Sequence, residues 1–354
     1  MKVKYITRLE KLEQLSPETA AKLEPVAEEF AFRTNDYYNA LIDWSDPDDP
    51  IKRLVIPVEE EIEQWGELDA SHEKLYQPIH GVEHKYKDTA LLLCNDVCAA
   101  YCRFCFRKRL FQNDNDEVAK DVTGGVDYIR KHPEITNVLL TGGDPLILST
   151  HKLSVIIDNL MGIDHVKNIR IGTKIPAFNP FRITDDATLL EAVARWTTTK
   201  QIYIMAHFTH PRELTDKAIE SIKVMKAAGA AVVNQTPIIR GVNDSAAVLG
   251  ELFNKLSFIG IQPYYVFACR PTKGNKTFSV PIEEAYTIFK DATRIKSGLA
   301  KTARFILSHV TGKVEVVGLL ENFIVFRNHN LVDSDKNGEL RFFARNPEAC
   351  WLDD

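Results

Sequence analysis

The stretch Thr89-Ala90-Leu91-Leu92-Leu93-Cys94 runs through Asn95-Asp96-Val97 into Cys98-Ala99-Ala100-Tyr101-Cys102-Arg103-Phe104-Cys105. A short apolar run bounded by polar residues reads as a buried strand, and the residues after it read as a loop crowded with thiols. Cys94, Cys98, Cys102 and Cys105 fall within twelve residues, whereas Cys269 and Cys350 stand alone. In a reducing compartment such crowding points to metal or redox chemistry rather than to disulfides.

Outward from this point the same unit recurs. Short apolar runs at 137–141, 168–172, 201–206, 230–234 and 262–267 join 89–94 as candidate strands. Amphipathic stretches at 152–161, 185–196, 215–228 and 246–258 lie between them as candidate helices. Strands alternating with helices predict a parallel sheet. Six units are too few for a closed eight-stranded barrel, so the expected fold is α/β, a partial (β/α)6 TIM-like barrel. Residues 1–86 read as mainly helical, with one helix opened by Ser16-Pro17 and another at 36–44 ended by Asp46-Pro47-Asp48-Asp49-Pro50. After a helix near 282–295, runs at 305–309, 314–317, 323–327 and 340–344 read as strands that close or cover the sheet's open side. The expected organisation is an N-terminal helical region over 1–86, the partial barrel over 87–272 and a β-rich extension over 273–354.

Clusters of Gly, Pro, His, Arg and Cys each follow a candidate strand: 98–109, Gly142-Gly143-Asp144-Pro145, 172–176, 207–211, 234–243 and 269–274. Loops at the C-terminal ends of parallel strands build the active sites of such folds. The composition fits an ordinary globular chain: 354 residues, 45% hydrophobic, 26% charged, with a formal charge of -5. That small negative charge argues against a global grip on nucleic acid. No run of about 18 apolar residues suggests a membrane span, and the first residues lack the apolar core of a secretory signal, so the cytoplasm is the default location.

Cys98, Cys102 and Cys105 carry a three-then-two spacing, and thiolates are the ligands of iron–sulfur clusters. The alternative is a structural zinc site with Cys94 as fourth ligand. Cys94 lies in an apolar run, where a small buried residue is equally at home. Around the cysteines stand Arg107-Lys108-Arg109, then Leu139-Leu140-Thr141-Gly142-Gly143-Asp144, Arg170-Ile171-Gly172, His207-Phe208-Thr209-His210-Pro211, Asn234-Gln235, Arg240-Gly241-Val242-Asn243-Asp244 and Pro263-Tyr264-Tyr265. In this order the set resembles the lysine 2,3-aminomutase family of the radical S-adenosylmethionine (SAM) superfamily.

The resemblance implies one 4Fe-4S cluster on Cys98, Cys102 and Cys105, SAM on its open iron, and pyridoxal 5'-phosphate (PLP). It implies an isomerase that moves the α-amino group of an amino acid to the β-carbon, using an electron donor such as flavodoxin or ferredoxin. It sets Gly142, Gly143 and Asp144 against SAM's methionyl amine and Phe104 near the adenine, where a plain turn and a core aromatic are the alternatives. Arg107 matches the arginine that pairs with the substrate carboxylate, and a planar fork suits two-point binding. Lys85 falls near the PLP phosphate. Lys313, in Ser308-His309-Val310-Thr311-Gly312-Lys313, takes the PLP lysine's place, although one glycine stands where the family has several. An exposed turn lysine is the alternative there.

Two departures bear on substrate. Lysine-specific members hold the distant ammonium with two acids, and this chain has Arg270 at the first position and Ser308 or His309 at the second. The expectation is therefore a substrate that is not lysine, with an anionic or neutral side chain such as glutamate. Arg270 could instead pair with another group of the protein. No added zinc cysteines are found, so a homo-oligomer would be held by other means. A radical SAM enzyme without PLP, acting on a peptide, RNA or small molecule, is the alternative activity.

Overall fold

Strand formation follows the apolar runs almost residue for residue. The computed structural model describes residues 2–112, 115–294 and 296–353. Its strands are β1 (Tyr5–Ile6), β2 (Thr34–Asn35), β3 (Val82–Tyr86), β4 (Thr89–Asn95), β5 (Asn137–Gly142), β6 (Asn168–Thr173), β7 (Gln201–Ala206), β8 (Ala231–Pro237), β9 (Gln262–Phe267), β10 (Arg304–His309), β11 (Gly312–Leu319), β12 (Phe323–Leu331) and β13 (Leu340–Ala344). All six strands expected of the partial barrel form. β3 to β13 make one eleven-stranded sheet in sequence order, and its two end strands do not pair, so the barrel stays open.

β4 to β9 run parallel, with helices Thr123–Lys131, Thr150–Met161, Ala187–Trp196, Asp216–Ala227 and Ala246–Phe258 between them. β10 also pairs parallel, through Arg304–Tyr265 and Ile306–Phe267, and so extends the barrel rather than merely covering it. The helix Ile282–Arg294 supplies the crossover that this requires; Ile295, at the end of the expected helix, lies outside the described residues. Leu92, Val138, Leu140, Ile169, Ile171, Ile202 and Ile204 are fully or almost fully buried in a shared core. Phe305, Leu307, Val314, Val316 and Phe326 build a second core under the extension.

The N-terminal segment departs from its mainly helical reading. Helix Pro17–Glu29 forms as expected, with Ser16 accepting the Thr19 N–H at 3.0 Å. The helix expected over 36–44 stops at Asn39. There the Asn39 side chain accepts from Thr34 at 2.6 Å and its carbonyl from the Trp44 indole at 3.3 Å, so the chain turns inward. β3 has no counterpart among the expected strands: its Val82-Glu83-His84-Lys85-Tyr86 alternates weakly, yet pairs antiparallel to β4 through Val82–Leu92 and Glu83–Leu91.

Candidate active site

The strand-end loops converge on a cavity of about 370 Å³ that Cys98, Cys102, Cys105, Gly142, Gly143, Asp144 and Lys313 all line. Phe104, Lys85, Arg107, Arg270 and Ser308 line it too, whereas Cys94 and His309 do not.

The cysteine loop is braced from outside the barrel. Arg103, inside the motif, is buried and donates to both Glu61 oxygens at 2.9 to 3.1 Å and to the Phe30 and Ala31 carbonyls at 3.2 Å. Glu61 comes from a 3-10 turn, Glu59–Ile62, of the N-terminal segment. Burial pushes all three thiols up, Cys102 to about 12, so a metal must displace their protons to bind. No set of three or more His, Cys, Asp or Glu side chains that could hold a single ion occurs among the described residues. What the three thiols share is the cavity, and a cube takes its ligands at separate corners. Cys94 stands apart from it, buried in the core with its thiol toward the Thr141 carbonyl at 3.7 Å.

Gly142 and Gly143 owe their smallness to the protein itself. A Cβ on Gly142 would sit 2.4 Å from the Asn95 carbonyl oxygen, and one on Gly143 2.5 Å from that of Val97. The Gly143 and Asp144 N–H groups donate to these same carbonyls, at 2.5 and 2.9 Å, and so lock the loop after β5 to the entry of the cysteine loop. The Asp144 carboxylate accepts from the Leu146 N–H at 3.0 Å, the Thr173 hydroxyl at 2.9 Å and the Lys174 N–H at 2.7 Å. It orders two loops, although burial raises it to about 6. Phe104 is buried, 5.9 Å edge-on from His207. The His207 ring lines the cavity with Nε2 buried and without a hydrogen-bond partner among the described residues, and burial holds it well below the usual imidazole range.

Arg107 lines the cavity with most of its guanidinium already engaged. Its Nε and Nη2 bind the two oxygens of Glu73 at 3.1 and 2.9 Å, Nη2 also meets Glu83 at 3.2 Å, and Nη1 donates to Thr141 at 2.8 Å. The fork edge is thus engaged, and one Nη1 hydrogen is left. Burial alone would raise Glu73, but Arg107, Arg109 and Arg270 draw it down to about 2. Glu83 goes the opposite way, to about 7, through burial and the charge of Glu73 against the pull of Arg107. Glu73 lies in the turn Glu73–Tyr76 and Glu83 on β3; no local sequence signal marks either.

Arg270 donates through Nη1 to Ser71 at 2.7 Å, lies 3.9 Å from Glu73, and stacks 3.7 Å over the Phe106 ring. Burial, aided by Arg107, lowers it to about 10. Lys313 sits on β11, next to Gly312 after the tight turn Val310-Thr311. The single glycine has a physical reason: Gly312 has φ +135, and a Cβ there would lie 2.4 Å from the Asn330 carbonyl oxygen of β12. The Lys313 amine is 3.3 Å from the Tyr86 hydroxyl and 4.4 Å over its ring. Burial, then Arg170, Arg270 and Lys85, lower it to about 7, which leaves much of it as free amine near neutrality. Lys85, lowered to about 8 by burial and then Arg270, donates to the His309 carbonyl at 2.9 Å, on the strand paired with β11. Arg170, on β6, also lines the cavity and has its Nε buried, with no hydrogen-bond partner among the described residues.

No family model matches the chain. A protein of Aquifex aeolicus (strain VF5), named provisionally as an L-lysine 2,3-aminomutase, is 54% identical over 356 residues, covering 100% of this chain and 95% of its own. L-lysine 2,3-aminomutase of Clostridium subterminale is 32% identical, over 92% of this chain and 78% of that protein. The chain belongs to the lysine 2,3-aminomutase family. Membership makes it a radical SAM isomerase by class. Glutamate 2,3-aminomutase of Clostridioides difficile is 33% identical, over 83% of this chain and 69% of that protein, so the family's names include both a cationic and an anionic substrate. A radical SAM methyltransferase structure from Sphaerobacter thermophilus overlays with a TM-score of 0.44 at 18% identity, over 64% of this chain and 68% of that one. That overlay is too loose to support any assignment. No helix among the described residues is long and apolar enough to cross a membrane.

The donor set fits the groups that the family implies. Three thiols on one braced loop suit a cluster. Two lysines, Arg170 with an orphaned Nε, and His207 with an orphaned Nε2 suit anionic or polar ligands in the same cavity.

Proposed function

We propose that this chain is a PLP-dependent amino-acid 2,3-aminomutase whose substrate is not lysine but an amino acid with an anionic or neutral side chain, glutamate among the candidates. One observation carries the reading: the Lys313 amine and the three cysteines open onto the same cavity. When bound, cluster and SAM supply the radical, and PLP supplies the aldehyde that takes the amine and the ring that spreads the unpaired electron. Lys313 is the amine that holds PLP, kept reactive by the cations and burial around it. Lys85 is placed for the phosphate, and the Gly142–Asp144 loop fixes SAM's end of the site. Arg107 presents its last N–H to the substrate carboxylate.

The side-chain preference rests on charge. Lys85, Arg170 and Lys313 line the cavity, and its acids Glu73 and Glu83 are taken by Arg107, so a second ammonium would meet cations and find no free carboxylate. The division of the chain suits this reading: residues 87–272 carry the cluster loop, 273–354 the lysine, and 1–86 the carboxylates Glu61, Glu73 and Glu83 that hold the arginines of the cluster loop. An oxygen-sensitive cluster and free thiols suit the cytoplasm, with flavodoxin or ferredoxin as reductant; a homo-oligomer is compatible with the site. The test is borohydride reduction of protein incubated with PLP, followed by peptide mapping. Label on Lys313 supports the reading, and wild-type protein that never retains PLP removes it in favour of a radical SAM enzyme without PLP.

A further inference from the structure

Arg107 offers the cavity a single N–H, because Glu73, Glu83 and Thr141 take the rest of its guanidinium. A carboxylate held by one N–H alone would be poorly fixed, so a second donor is needed nearby. Arg270 is that neighbour. The same oxygen, Glu73 Oε1, lies 2.9 Å from Arg107 Nη2 and 3.9 Å from Arg270 Nη1. Both guanidinium groups also pack on one ring, that of Phe106, at 5.0 and 3.7 Å from its centre.

Arg270 is therefore folded back toward Arg107 and does not stand at a remote end of the site. Its Nη1 is held by Ser71, at 2.7 Å. Among the described residues no hydrogen bond engages its Nε or Nη2, and neither atom is a buried orphan. Since the residue lines the cavity, those N–H groups are available to a ligand there. Phe106 holds the plane of the guanidinium from one side, which limits the rotamer entropy lost on binding. Glu73 and Ser71 come from the same short segment, ahead of and at the start of the turn Glu73–Tyr76, so one piece of the N-terminal region sets both arginines.

The geometry points to Arg107 and Arg270 as a two-guanidinium clamp on one carboxylate of the substrate, the α-carboxylate, with Glu73 as the bridge that spaces them. This rests on the aminomutase reading and deepens it. Arg270 then recognises what every α-amino acid carries, and side-chain choice is made by other walls of the cavity. The positive charge at 270 calls for an α-carboxylate and not for a second acid group. Glu73 is a positioning residue, since it touches the arginines and not the substrate.

The test uses cluster- and PLP-loaded protein without SAM, titrated by calorimetry with L-glutamate, L-glutamine and L-alanine and with their α-carboxamides. In wild type each acid binds more tightly than its amide. In Arg270→Gln that ratio falls by about tenfold or more for all three pairs alike, the worth of a charge-assisted hydrogen bond. If Arg270 held the side chain instead, glutamate and its α-carboxamide would weaken together and the ratio would stay; an unchanged ratio in all three pairs overturns the clamp. If the glutamine variant does not fold, Arg270→Lys decides on the same ratio, because it keeps the charge but loses the planar edge. The two failures are separable. If wild type forms no β-amino acid while the ratios behave as stated, the activity reading falls and the clamp stands. If product forms but the ratios do not move, the clamp falls alone.

Discussion

The buried pair Arg103–Glu61 ties the cysteine loop to the N-terminal segment, and cutting it is the sharpest structural test available. Glu61 is 0% and Arg103 2% exposed, and Nε and Nη2 make three contacts with the carboxylate at 2.9 to 3.1 Å. Glu61→Gln keeps the shape but leaves a buried guanidinium without a counter-charge, which costs roughly 3–5 kcal/mol. Lys108, 3.8 Å from Glu61 and held at about 8 by burial, loses its counter-ion at the same time. The loop between Cys102 and Cys105 should loosen, so iron content after anaerobic reconstitution should drop together with stability. Replacing both partners, Glu61→Met with Arg103→Met, should recover most of the stability, because no unpaired charge is left. The assays are denaturant unfolding of the apo-protein and iron and sulfide analysis. If Glu61→Gln unfolds within about 1 kcal/mol of wild type and binds full iron, the pair is no more than a surface-like contact and the bracing argument is wrong.

Other expectations rest on the same geometry. Gly143→Ala puts a Cβ 2.5 Å from the Val97 oxygen, and reconstituted protein should hold well under half the wild-type iron. Full iron content in that variant would contradict the locking of the two loops. PLP uptake, followed by absorbance of the apo-protein, should reach half its plateau near pH 7, the value to which burial lowers Lys313, and not near 10; Arg170→Gln should move the midpoint upward, since it removes a neighbouring cation. Glu83 is raised to about 7 by burial and by Glu73, so the folded form keeps a proton that the unfolded chain has released above its usual 4.5. Stability from this group is complete below pH 4.5 and lost as pH rises through 7. Glu83→Gln should flatten that part of the unfolding profile, and an unchanged slope would show that Glu83 is not the titrating group.

The barrel was legible because its signals are local. β7 and β9 fall where the apolar runs do, at Gln201–Ala206 and Gln262–Phe267, and each site cluster follows its strand. The cysteine trio and the Gly142–Asp144 turn are local patterns of a few adjacent residues, whereas Lys313 was singled out by the resemblance, and the structure brings all of them to one cavity. The carboxylates could not be read locally. Glu73 meets Arg107 across 34 residues and Glu61 meets Arg103 across 42, in a segment without a clear period. β3 escaped notice because Glu83, His84 and Lys85 are polar, yet Glu83 and Lys85 line the cavity instead of facing water. Arg107 shows the limit of reading roles from residue type: its fork was visible in the sequence, but the partner already on it was not.

The central claim is a transfer of nitrogen from the α- to the β-carbon, and its direct measurement is NMR of 15N-labelled amino acids after anaerobic turnover with SAM and a reductant. The account predicts β-15N product from an amino acid whose side chain is neutral or anionic, absent in Lys313→Ala. Cleavage of SAM with no β-amino product from any amino acid, or product from lysine alone, would contradict it.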